Sequence, residues 1–241
     1  MSDIRTVMWK EWKELVAQRG TLAMLAIYLV LFAVIMPAQQ GEEWLRSPVG
    51  VAQMLFVPLF AVLAIVADSF AGERERHTLD TLLAGQLPDS AILTGKVLTG
   101  VLYGWTLTLV GLAASVVSVN LTAKHDGLLM YDRAVLLGAI GLSLGLLGLV
   151  TALGILVSLR ASTVRQAQQA LSLSLFALGG GAVVLAAKVP ENWRRAFSHR
   201  FSGLGSGERA LAATLLLLVL DAIVLAVVAA RFRRPRLITA G

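Results

Sequence analysis

An all-α, multi-span membrane protein is the fold class this sequence predicts, and two observations carry it. Six apolar windows with at most one charge recur along the 241 residues: Gly20–Gly41, Ser47–Ala67, Val97–Val119, Ala134–Leu159, Gln166–Ala187 and Ala210–Ala230. Each is close to the ~20 residues a helix needs to cross a hydrocarbon core. The windows are solidly apolar and do not alternate, so barrel strands are excluded. The chain as a whole is 15% charged with a mean hydropathy of +0.76, against roughly 25% charged in globular domains. Residues 1–241 therefore read as one transmembrane domain of six spans, with an interfacial amphipathic helix before them and a surface helix between spans 2 and 3.

Residues 1–20 form the interfacial helix. At ~100° per residue, Ile4, Met8, Trp9, Trp12, Leu15 and Val16 share an arc, and Asp3, Lys10, Lys13, Glu14 and Gln18 lie opposite. Interfacial tryptophans and wet lysines suit a helix held at a membrane surface. Residues 21–70 hold spans 1 and 2. Trp44 between them is expected as an interface anchor, and Pro58 predicts a kink that membrane helices tolerate.

Residues 71–91 form the cytoplasmic surface-helix region, within the most informative part of the chain, Asp68–Lys96. Asp68–Lys96 is a polar island between two apolar runs, with Glu73, Arg74, Glu75, Arg76 and His77 in succession. Leu79, Leu82 and Leu83 follow at helical spacing, and Pro88-Asp89-Ser90 restarts a helix. Such a helix offers leucines and charges to a partner while its flanks stay in lipid. Lys96 is expected at the boundary of the third span.

Residues 92–159 hold spans 3 and 4. Gly100, Gly104, Thr108, Gly111 and Ser115 form one stripe of small residues, and Gly138, Gly141, Gly145, Gly148 and Thr151 another. Such stripes let helices approach closely, either within the subunit or at a subunit interface. Span 5 occupies 166–187, where Gly179-Gly180-Gly181 predicts a break, since each glycine weakens a helix by roughly 1 kcal/mol relative to alanine. Residues 188–208 form an outer amphipathic loop, with Trp193, Phe197 and Phe201 every fourth residue and Arg194, Arg195 and Arg200 between them. Span 6 fills 209–231 and carries Asp221 near its middle. A carboxylate at that depth costs about 2.5–3.5 kcal/mol on insertion scales. Ser172 or Gln169 on span 5 are its expected partners. Asp221 is either a pathway contact for substrate, proton or cation, or a packing residue.

Charge sets the orientation. With the N-terminus cytoplasmic, 13 of the 21 Lys and Arg residues fall on inner segments, in line with the positive-inside rule. Both termini are then cytoplasmic, and the net charge of +6 reports topology and anionic lipid, with no nucleic acid as partner. There is no cysteine, hence no disulfide or thiolate metal site. His77, His125 and His199 read as loop histidines. The nearest string to a phosphate loop, Ser90 to Val97, lacks the first glycine and the Ser/Thr after lysine. No catalytic, metal or cofactor site is expected in this chain.

The run from Phe70 to Leu83, FAGERERHTLDTLL, followed by Pro88 and Gly95-Lys96, resembles the ABC-2 type transporter permeases, notably those of sodium-efflux, copper-enzyme-maturation and gliding-motility transporters. The WKEWKEL helix from Trp9 to Leu15 is similar as well. His77 departs from the glycine or small residue found there in many members. The resemblance implies a multi-pass subunit of a prokaryotic inner membrane, part of an exporter with two permeases, identical or paralogous, and two ATPases that carry ATP and Mg. It assigns Glu73, Arg74, Glu75, Arg76, Thr78, Leu79, Asp80, Leu82, Leu83 and Pro88 to a coupling helix seated on the ATPase. Arg160–Arg165 would be a smaller contact. The alternatives are a proton- or sodium-coupled carrier using Asp221, and a non-transporting membrane anchor or assembly subunit.

Overall fold

The computed structural model describes residues 2–17, 19–79, 84, 87–122, 127–193, 203 and 205–232. Among them every regular element is helical. Helix α1 is Ser2–Ala17 and α2 is Arg19–Val30; a π-helical turn, Leu31–Ile35, leads to the short α3 (Met36–Gln40) and α4 (Glu42–Arg46). The long helices follow: α5 (Pro48–Glu75), α6 (Asp89–Thr122), α7 (Arg133–Ser158), α8 (Val164–Lys188) and α9 (Ser206–Arg231). Five described stretches are long and apolar enough to cross a membrane: Gly20–Gln40, Pro48–Glu75, Asp89–Thr122, Arg133–Ser158 and Gly207–Arg231. The expected fifth span lies in α8, a 25-residue helix outside those five, with Arg165, Gln166, Gln168 and Gln169 in its first turns.

Helices α5, α6 and α7 form the centre of the bundle. The small-residue stripe of α6 brings it onto α5 and α7. A Cβ at Gly100 would stand 3.0 Å from Thr151 Cγ2, and one at Gly111 3.0 Å from Met54 Sδ. The stripe of α7 receives α9, and the two helices run in the same direction. Gly138 meets Ala210, Gly141 meets Thr214, Gly145 meets Leu217 and Gly148 meets Asp221. Both stripes thus serve packing within one subunit, where small residues let backbones approach.

At one end of the bundle Trp44, Leu45, Met54, Leu112, Val119, Tyr131 and Ala139 make a core. Trp44 is fully buried, under Gly50, where a Cβ would lie 2.9 Å from its ring. It is a core residue and not the interface anchor expected, because α4 folds it inward. Asn120 closes the adjoining loop with bonds to both backbone groups of Leu129. The other end holds Val66, Phe70, Ile92, Ile155, Leu171, Val228 and Phe232. This is called the loop end below, since residues 76–79 and 87–88 lie there.

One local expectation changes. No break occurs at Gly179–Gly181, since α8 is continuous from Val164 to Lys188. In a membrane, backbone groups released by a break find no water, so helix continuity outweighs weak propensity. Pro58 lies within α5, which continues to Glu75. The π turn before Pro37 was not foreseen. Proline has no N–H to give the preceding turn. Within that turn the Val34 carbonyl accepts from Ser118 Oγ at 2.6 Å.

Candidate functional site

The loop end gathers the charges of the polar island, and nearly all of them are used within the subunit. Helix α1 packs against α6 because Gly95 admits it. A Cβ there would stand 2.7 Å from Val7 Cγ1. One residue on, Lys96 is buried and donates to Glu11 Oε1 at 2.6 Å and to the Ser69 carbonyl at 2.7 Å. Its ammonium also lies 5.1 Å from the Phe70 ring centroid. Lys96 is therefore two turns inside α6. The Gly95-Lys96 pair makes room for α1 and then bonds to it.

Glu73 is the second node. It lies on the last turn of α5, 3% exposed, and accepts from Lys10 and from Thr78 Oγ1, with Lys96 Nζ at 3.9 Å. Burial draws the Lys10 pKa down, but the bond to Glu73 and the nearby Glu11 and Glu14 outweigh it and leave it above its ordinary value. Glu11, Glu14 and Glu73 approach within 4.8 Å of one another, a spacing a cation could use. Lys10 and Lys96 already supply positive charge there, so the group is an ion-pair network.

The other charges bind the neighbouring loop. Arg74 donates to the carbonyls of Leu159 and Ala161 at the end of α7. Glu75 accepts from the Val164 N–H at the start of α8, at 3.0 Å. Each satisfies backbone groups a helix end leaves open. Arg76 turns back onto Asp68 at 3.1 Å. Ser158 of α7 inserts its hydroxyl into α5. It accepts from Phe70 and Ala71 N–H at 3.1 and 3.0 Å and donates to the Ala67 carbonyl at 3.0 Å.

His77 has φ +57°. It follows α5 as the left-handed residue of a helix stop: its N–H bonds to the Arg74 carbonyl and the Thr78 N–H to that of Glu73. This conformation favours glycine.

Of the sequence-predicted docking residues, Glu73 and Leu79 are buried, and Arg74 is partly buried. Glu75, Arg76, Thr78 and Pro88 are exposed. Asp80, Leu82 and Leu83 lie outside the described residues, as do Phe197 and Phe201 of the outer loop; Trp193 is 66% exposed. Asp221 is 6% exposed, and its Oδ1 has no hydrogen-bond partner among the described residues. It presses on Gly148 of α7 and does not bond Gln169 or Ser172, because α9 packs on α7 and not on α8.

Lys10, Glu11 and Ser158 were missed. Glu11 was findable: it falls about 40° from Leu15 on the helical wheel, at the edge of the apolar arc beside Ile4.

A family model described as ABC-2 family transporter protein matches residues 49–231. The chain belongs to this family. A comparison with curated proteins found no match. ABC-2 permeases are typically non-catalytic multi-pass membrane subunits that work with an ABC ATPase. The matched region begins at Val49, so α1 lies outside it, yet α1 is bonded to Lys96 and Glu73 within it.

Proposed function

We propose that this chain is the permease subunit of an ABC exporter, forming the translocation pathway with a second permease, identical or paralogous, and driven by two separate ATPase subunits that bind ATP and Mg. It would sit in a prokaryotic inner membrane with both termini and the loop end in the cytoplasm.

One observation carries this reading. The segment between α5 and α6 is bonded at its α5 root to α1, α7 and α8, through Lys10–Glu73, Arg74–Leu159 and Glu75–Val164. A push on residues 76–88 would reach all of these helices together. The exposed residues Glu75, Arg76, Thr78 and Pro88, with Asp80, Leu82 and Leu83, would form the ATPase contact, while Glu73 and Leu79 hold its base.

The test is co-purification with an ABC ATPase expressed alongside. Changing Leu82 and Leu83 together to alanine should release the ATPase and abolish permease-stimulated ATP hydrolysis. A complex that survives the double change with full stimulation overturns the docking assignment.

The unpartnered Asp221 Oδ1 favours a second reading, a cation- or proton-coupled carrier. Under it Asp221→Asn would abolish transport with no ATPase present. Under the exporter reading no transport occurs without the ATPase in either form.

A further inference from the structure

Between α1 and α6 lies a groove of about 870 Å³. Arg5, Met8, Trp9 and Trp12 form one wall, and Leu102 and Thr106 the other. Its lower part is apolar. The hydroxyls of Thr99 and Thr106 donate to the carbonyls of Gly95 and Leu102 in their own helix, so neither has a proton left to donate to a ligand. Trp12 meets Tyr103 edge-on at 5.8 Å and closes the floor.

Arg5 is the charged residue of the lining, and α1 divides its charges between the two sides of the helix. Lys10 faces inward to Glu14 and Glu73. Arg5 and Lys13 make no ion pair among the described residues. With Trp9 they occupy positions i, i+4 and i+8, one stripe of the helix. The Lys13 ammonium sits 5.3 Å from the centroid of the Trp9 ring, and Trp9 is 62% exposed. The groove is thus apolar where it follows a membrane-crossing helix and positive where it meets the interfacial one.

From this we infer that the groove is a binding site for an anionic phospholipid of the leaflet on the α1 side. The phosphate is held at Arg5, and an acyl chain lies along Met8, Leu102 and Thr106. A soluble polar metabolite would gain little from the mostly apolar lining, and a neutral lipid would leave Arg5 unmatched. Basic sites between membrane helices select anionic headgroups on these grounds. The inference requires only that the chain spans a membrane, and it stands apart from the assignment of an ATPase partner.

The probe is bromine-labelled lipid, which quenches nearby tryptophan. The full chain is reconstituted in phosphatidylcholine vesicles with a small fraction of either brominated phosphatidylglycerol or brominated phosphatidylcholine. The signal of interest is the part of the quenching lost in a Trp9→Phe, Trp12→Phe double variant. Phosphatidylglycerol should be favoured roughly five-fold, the preference one well-placed cation confers. Arg5→Gln should bring the ratio close to one, and Arg5→Lys should keep most of it. Arg5 is exposed, so neither change threatens the fold. Equal quenching by the two lipids, or a preference unchanged in Arg5→Gln, overturns the site. So does the absence of quenching by either lipid, as when a second copy of the chain covers the groove.

Discussion

Lys96 and Glu11 stand 85 positions apart in the chain and 2.6 Å apart in the fold, and both side chains are at least nine-tenths buried. Removing one partner of such a pair leaves a buried charge, which costs about 3–5 kcal/mol. Lys96→Met or Glu11→Leu alone should therefore free α1, while the double change should be much closer to the native protein. Since the chain has no cysteine, a spin label at Met8→Cys reports the freedom of α1. Equal label mobility in the single and double variants would contradict the pairing.

Gly95 makes the approach possible. Gly95→Leu should displace α1 by overpacking, at about 1–3 kcal/mol, because a side chain there meets Val7 at once. Combining it with Val7→Gly should recover part of the loss. Thermal unfolding of the detergent-solubilised chain measures both.

Lys10 adds a pH dependence. Its folded-state pKa lies above the ordinary 10.5. Its stabilising contribution is therefore complete below that value and is lost as pH rises through the higher, folded-state one. Lys10 is partly exposed, so solvent screening keeps the effect modest. The Met8→Cys label should gain mobility in strong alkali in a step that Lys10→Met lacks. A step retained in Lys10→Met would place the titration on another group.

Ser158 bridges α7 and α5 through three backbone groups. Ser158→Ala should destabilise by about 1–3 kcal/mol, the penalty for buried polar groups left unpaired, whereas Ser158→Thr should restore some of the bonding. An alanine variant that melts with the native protein would show that α5 bonds itself at this point.

His77→Gly should stabilise by roughly 1 kcal/mol, since the left-handed conformation strains any residue with a Cβ. His77→Val should do the opposite, by more. The two melting shifts of opposite sign are the check, and shifts of the same sign would exclude backbone strain as their cause.

Much of the architecture was legible in the residues. Apolar windows of span length gave the helices, and the glycine stripes announced close packing. Which helix receives each stripe was not readable, because small-residue spacing marks a face and not its occupant. For that reason Asp221 was matched to Gln169 and Ser172 on the preceding helix, when the fold sets it on Gly148. The polar island was recognised from its composition, but composition does not separate charges that face water from charges that tie helices together. Glu73 and Arg74 belong to the second kind. Their partners, Lys10 and the carbonyls of Leu159 and Ala161, come from segments far along the chain.

The Lys96–Glu11 bond also dictates an order of assembly during synthesis. Helix α1 leaves the ribosome first, but the lysine that fixes it is made 85 residues later, roughly 4–17 s at about 5–20 residues per second. During that interval Glu11 has no lysine to meet, and α1 is held to the bilayer by its apolar arc and by the span that follows it, Gly20–Gln40. The first helix to be made is thus not the first to be set in place, and it locks only once two further spans have been inserted.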